Sequence, residues 1–182
     1  MVLDHNLDLV KEWVRVIFAD KTAAKYAAGT ATHWYSPGTP HTVLDEAYQG
    51  HPDKFFLATE ACQVGGVKIG DWHLAERYAN DIIQHLLHHT MGWVDWNMAL
   101  DTQGGPNWTN NFVDSPILIN AGAGEYYRQP SYYALAHFSK FLPPGSVRVD
   151  TTSTGSKASV AAFRRPDNSV AVIVVNNDNT DI

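Results

Sequence analysis

The sequence predicts an α/β chain in which parallel strands joined by helical crossovers give way, near residue 145, to an all-β segment. Two patterns carry this expectation. Up to about residue 144, short apolar runs alternate with stretches of helical period, and that alternation implies a parallel sheet. After Pro143-Pro144-Gly145 the helical period stops, and only β-branched runs separated by turn residues remain.

The elements follow in order. Residues 7–18 carry Val10, Trp13, Val14 and Ile17 at helical spacing, closed by Asp20 and Lys21. AAGTATHWY, ending at Tyr35, is a short β-branched and aromatic run, and the Ser-Pro-Gly-Thr-Pro after it is a loop. Residues 41–49 form a short helix, and KFFLATE, 54–60, is a compact apolar strand ending in a carboxylate. Residues 72–90 place Trp72, Ala75, Ala79, Ile82 and Leu86 on one stripe of a long amphipathic helix, broken by Gly92. GWVDWNMAL, 92–100, is the third strand expected from these runs, and a Gly/Pro/Asn-rich loop follows it. Residues 131–142 are helical. VRVDT, ASVAAFR and SVAVIVV are strands, the last two joined by a turn at Pro166-Asp167-Asn168.

Composition narrows the function classes. Hydrophobic residues make up 45% of the 182, enough for a packed core. A formal net charge of −6 with no run of Lys or Arg argues against a nucleic-acid partner. No apolar run approaches the ~20 residues of a membrane span. The opening MVLDHNLDLV lacks a basic leader and carries early acids, so it does not read as a signal peptide. Cys62 is the single cysteine, which excludes an internal disulfide and a thiolate metal cluster. His85 and His89 have i,i+4 spacing, but Leu86, Leu87 and His88 between them lack the glutamate of the zinc-protease signature; no metal site is expected. The six Trp have two readings, ordinary core or flat apolar faces for stacking on a ligand such as a sugar ring.

Glu60 is the sharpest chemical signal. It directly follows Phe55-Phe56-Leu57-Ala58-Thr59, which puts a carboxylate at the C-terminal mouth of a buried strand, where (β/α) barrels carry out catalysis. The competing reading is a surface-loop glutamate. The neighbouring strand ends repeat the arrangement: one ends in His33-Trp34-Tyr35, and another carries Trp93, Asp95, Trp96 and Asn97. Taken singly, His33 reads equally as a hydrogen-bonded core histidine and Trp96 as barrel filling. Together, three successive strands deliver polar or aromatic groups to one mouth. Gly104-Gly105-Pro106-Asn107-Trp108 forms a rigid turn presenting an indole, and Asn107-Trp108-Thr109 is a glycosylation sequon. The G-x-S-x-G elbow of serine hydrolases is absent, and the glycines are too few and wrongly placed for a phosphate loop.

ATEAC, HWY, GWVDWNMAL, GGPNW, NNFVDSPI and HFSKFLPPGS together resemble glycoside hydrolase family 30, and within it the glucosylceramidase (acid β-glucosidase) branch. The resemblance runs along nearly the whole chain, with long ungapped blocks between residues 90 and 150. It implies the C-terminal part of a (β/α)8 TIM barrel followed by the start of an all-β sandwich domain. Residues 1–144 would cover about strands five or six to eight of the barrel, and residues 145–182 the beginning of the sandwich. It implies Glu60 as nucleophile, His33 and Tyr35 as pocket residues, and Trp96 and Asn111 as sugar contacts. Asp4 resembles the aspartate ending the fifth barrel strand. The family's acid/base glutamate belongs to an Asn-Glu pair after the fourth strand, a dipeptide this sequence does not contain.

The resemblance therefore implies a retaining β-glycosidase that cleaves the β-glucosyl bond of glucosylceramide-type substrates, with 1–182 inactive by itself. Partners would be a glycolipid or glycan substrate, peripheral membrane-lipid contact through that substrate, and the N-terminal half of the same barrel. No metal or organic cofactor is needed. Location would be lysosomal or secreted. Two alternatives stand beside this: an endo-β-1,6-glucanase or β-xylosidase of the same family, and a non-catalytic sugar- or lipid-binding protein that keeps the aromatic pocket.

Overall fold

A computed structural model describes residues 1–152 and 157–179. Contacts divide the chain into two compact units, Met1–Ala61 with Gln84–Trp96, and Cys62–Ile83 with Asn97–Ile182. The division falls within one helix.

The first unit is a four-stranded parallel sheet in the order β1-β2-β3-β4: β1 is Val2–Asn6, β2 Gly29–His33, β3 Phe55–Glu60 and β4 Thr90–Trp93. Helix α1, Val10–Ala19, joins the first pair and α2, Thr42–Gly50, the second; α3, Trp72–Leu87, precedes β4. Helical period over 7–18 becomes a 3-10 turn at Leu7–Leu9 followed by α1. Val10, Val14 and Phe18 of α1, Leu44 and Ala47 of α2, and Phe56 of β3 form one buried cluster. The helices thus cover the sheet face that Phe56 occupies. β2 is buried along Gly29–Thr32, as expected of a central parallel strand. Gly29 is required by close approach, since a Cβ there would lie 2.5 Å from the Phe55 carbonyl oxygen.

Strand registers slip at the C-terminal ends. Thr30 pairs with Phe56 and Thr32 with Ala58, but His33 pairs with Glu60, leaving Thr59 as an extra residue. Between β1 and β2, Leu3 pairs with Ala31 and His5 with Thr32, so Asp4 is the extra residue there. Leu3 and Asp4 have φ of 72° and 53°, the left-handed region that non-glycine residues rarely occupy.

The expected third strand, 92–100, is not continuous. β4 ends at Trp93, and β5, Ala99–Asp101, starts a different sheet. Between them the Val94 N–H donates to the Ala58 carbonyl at 2.9 Å and the Trp96 N–H to that of Ala61 at 2.8 Å. The chain follows the end of β3 before leaving the sheet, so Asp95 and Trp96 lie beyond a strand end instead of within a strand.

The second unit holds two small sheets. β5 pairs in parallel with β6, Ile117–Asn120, which forms a hairpin with β7, Glu125–Arg128; sequence patterning left this hairpin unassigned. Helix α4 runs Pro130–Ser139, ending earlier than the expected residue 142. The third sheet is antiparallel, ordered β10-β9-β8, with β8 Val147–Val149, β9 Ser159–Arg164 and β10 Val170–Val175. Its hairpin turns at Pro166–Asn168, as expected, closed by the Arg165 N–H donating to Ser169 at 2.8 Å. Buried Asp114 and Gln129 tie the 64–70 loop down. Gln129 Nε2 donates to both Asp114 carboxylate oxygens at 3.0 Å, the Lys68 N–H donates to Asp114 Oδ2 at 3.1 Å, and the Gly70 N–H to Gln129 Oε1 at 2.9 Å. Among the described residues no helix is long and apolar enough to cross a membrane.

Leu44 is fully buried where α2 meets the sheet. Truncating it to Ala removes contacts that cannot close up, a change that costs roughly 2–5 kcal/mol. Leu44→Ala should lower the urea midpoint of the first unit by a corresponding amount while leaving the slope unchanged.

Candidate functional site

The C-terminal ends of β1, β2 and β3 bring together Asp4, His33, Tyr35, Thr59 and Glu60. In strict alternation Glu60 would share the face of Phe56 and Ala58, against the helices. The slip at Thr59 sets Glu60 level with His33, on the opposite face. There the Tyr35 hydroxyl donates to Glu60 Oε1 at 3.1 Å. The half-buried carboxylate thereby keeps a charge-assisted hydrogen bond on one oxygen, and a nucleophile needs only the other.

A second cluster stands beside it. Asp4 Oδ1 accepts from the Thr59 hydroxyl at 2.8 Å and from His33 Nε2 at 3.1 Å. The two extra residues of the slipped registers are therefore bonded to each other across β2. These bonds, Thr59 first and His33 second, hold the Asp4 carboxyl below the usual aspartate range. An ionised Asp4 accepts only, which assigns the proton on His33 to Nε2.

Aromatic rings contact one another around His33 and Tyr35. His33 meets Tyr35 edge-on with ring centres 6.2 Å apart, and His5 stacks on His33 at 6.2 Å. Trp34, buried, meets Trp93 edge-on at 6.0 Å. Trp34 is thus the packing member of the HWY block, and His33 and Tyr35 the polar ones. Trp96 keeps 41% of its surface exposed one hydrogen bond beyond Ala61, next to Glu60 in sequence. Asn111 belongs to the second unit. It lies exposed on the loop after β5, which turns sharply at Gly104, where φ is +85° and a Cβ would come within 2.4 Å of the Val113 carbonyl.

Sequence reasoning did not single out Thr59. Its one signal was its place beside Glu60, and its bond to Asp4 depends on two register slips. Of the two histidines at i,i+4 spacing, His85 Nδ1 lies 3.2 Å from the Thr90 hydroxyl and His89 Nε2 3.5 Å from Asp45, which His88 Nδ1 also meets at 2.8 Å.

The chain matches the glycosyl hydrolase family 30 TIM-barrel domain over residues 1–142 and that family's beta sandwich domain over residues 145–182. It is 52% identical over 163 residues to a Caenorhabditis elegans protein named, by inference, glucosylceramidase 3, covering 87% of this chain and 31% of that protein. It is 40% identical over 191 residues to the lysosomal acid glucosylceramidase of Mus musculus, covering 100% of this chain and 37% of the relative. Among solved structures it is similar to SrfJ from Salmonella typhimurium, with a TM-score of 0.90 and 30% identity, covering 96% of this chain and 39% of that one. Endo-1,6-β-glucanases match at 26 to 27% identity. The chain spans about a third of the length of the curated relatives it matches.

Because Asp4 is held below its unfolded value, its contribution to stability is complete above the ordinary aspartate range and is lost as pH falls through the lower folded value. Asp4→Asn should therefore lower the urea midpoint near neutral pH. Wild type and variant should converge on acidification, and a gap that persists undiminished in strong acid would contradict the Thr59 and His33 bonds as its source.

Proposed function

Since the chain belongs to glycoside hydrolase family 30, we propose that it is the nucleophile-bearing portion of a retaining β-glucosidase acting on glucosylceramide-type substrates. One observation carries this reading: a carboxylate at the C-terminal rim of a parallel sheet, turned off the helix-covered face by a register slip and held by a tyrosine hydroxyl. Higher identity to the glucosylceramidases than to the 1,6-glucanases favours the β-glucosyl substrate.

In this mechanism Glu60 attacks the anomeric carbon. The C–O bond to the aglycone breaks as a glycosyl ester forms on the carboxylate, and a second carboxyl group protonates the departing oxygen. That group, now a base, takes a proton from water, which hydrolyses the ester and frees Glu60. Retaining chemistry places the two carboxyls about 5–5.5 Å apart. Tyr35 orients Glu60 in the ground state, and His33, fixed by Asp4, lines the same rim. Trp96 offers an indole face to the sugar, and Asn111 hydrogen-bonds its hydroxyls. The acid/base belongs to an Asn-Glu pair that this sequence does not contain. Residues 1–144 then form part of the barrel and 145–182 the start of the sandwich. The protein acts in the lysosome on a glycolipid presented at a membrane surface.

General acid catalysis contributes roughly 10²–10⁴-fold, so 1–182 alone should turn over an aryl β-glucoside no faster than its Glu60→Gln variant. A chimaera in which residues 1–182 replace the matching part of the mouse relative should hydrolyse glucosylceramide, and Glu60→Gln in it should drop to background. A 2-fluoro-glucoside should label Glu60 in the peptide map. In the same chimaera Tyr35→Phe removes a hydrogen bond to a charged group, worth ~1.5–3 kcal/mol, and should lower kcat/KM roughly 10- to 100-fold. Label on a different residue, or activity indifferent to Glu60, would sink the assignment. Saturable binding of a glucose analogue with no turnover in the chimaera would instead favour a non-catalytic binding protein.

A further inference from the structure

The loop after β5 contains one side chain whose bonding exceeds what an exposed loop needs. Asn107 Oδ1 accepts from the Thr109 N–H at 2.8 Å, the Thr109 hydroxyl at 2.9 Å and the Asn111 N–H at 3.2 Å. Its Nδ2 donates to the Asn111 carbonyl at 2.9 Å. An amide oxygen has two lone pairs, so three donors share it, and the same carboxamide grips both the N–H and the C=O of Asn111. These bonds do not serve the core. Trp108, inside the bracket, is 98% exposed, and Thr109, Asn110 and Asn111 are exposed as well. Asn110 takes a left-handed φ of +58°, a conformation Asn tolerates and most residues resist. The bracket therefore holds five residues in a specific exposed shape whose last member is Asn111.

We propose that Asn107 is a positioning residue for substrate recognition: its side chain fixes the backbone of Asn111 and so presents the Asn111 carboxamide to a sugar hydroxyl. This rests on the reading of Asn111 as a sugar contact. Asn107 itself touches no substrate in this scheme. Within the Asn-Trp-Thr segment, Thr109 supplies two of the three donors to Asn107 Oδ1. Fixing the loop in advance removes an ordering cost that binding would otherwise meet.

The test is hydrogen exchange by NMR on the full 182-residue chain, with a glucose-shaped iminosugar titrated in parallel. In the wild type the backbone amides of Thr109 and Asn111 should exchange slowly. Asn107→Ala should speed both roughly tenfold, the scale of one lost hydrogen bond, while amides in β5–β7 and the unfolding midpoint stay unchanged. Asn107→Asp keeps the acceptor and should keep the Thr109 amide slow, a rescue that general loop damage would not allow. A wild-type Asn111 amide exchanging at the free-peptide rate, or an Asn107→Ala variant with unaltered exchange, overturns the proposal. In the titration, Asn107→Ala and Asn111→Ala should weaken the iminosugar by similar factors. If Asn111→Ala leaves affinity untouched while exchange responds as expected, the bracket stands as structure but the recognition role falls with the sugar contact.

Discussion

The slip of register at Thr59 is the constraint on which the site depends. A strand alternates its side chains strictly, and β3 commits Phe56 and Ala58 to the helix-covered face. Without an extra residue, Glu60 would follow them into an apolar layer, where an unpaired carboxylate is costly. One inserted residue moves it to the opposite face, beside His33 and within reach of Tyr35. Bulges that re-aim a side chain next to a reactive centre are a recurrent use of this defect. The slip at Asp4 is its counterpart on the other side of β2, and the bond between the two extra residues couples them. The left-handed φ at Leu3 and Asp4 is strain that persists because the surrounding bonds fix it.

Around that constraint the polar groups divide by function. Asp4, Thr59 and His33 form a closed hydrogen-bonded group that sets ring orientation and tautomer. The Tyr35 hydroxyl bonds the Glu60 carboxylate, while Asp4 bonds the His33 ring, so the two side chains are oriented by different partners. Trp34 meets Trp93 edge-on and also packs against Tyr35. The second unit uses side chains in the same way: Asp114 and Gln129 hold the loop that follows Glu60 in sequence, and Asn107 holds the loop that ends in Asn111. In each case a side chain binds loop backbone N–H groups.

Much of the first unit was legible in the sequence, because its signals are local. Helical spacing located α1 and α2 to within a few residues, and KFFLATE announced β3 and its terminal carboxylate. The misses share a cause. GWVDWNMAL has strand composition throughout, but two backbone bonds to Ala58 and Ala61 bend it away after Trp93. The β6–β7 hairpin turns through Ala-Gly-Ala-Gly, without the Asn-Gly or Asp-Gly pair that flags a tight hairpin. Thr59 and Asp4 gave no signal of partnership, being 55 residues apart.

By itself the sequence determined the α/β class, the family, and the residue types offered at and beyond the strand ends: Glu60, His33, Tyr35 and Trp96, with Asn111 on the loop after β5. Periodicity and composition are properties of neighbouring residues, so they can be read from the chain alone. Tertiary structure decided which face Glu60 occupies, which member of His33-Trp34-Tyr35 packs and which bonds, and that Asp4 and Thr59 join the site. Those outcomes depend on register between strands, and register is fixed by pairing energies summed over residues far apart in the chain.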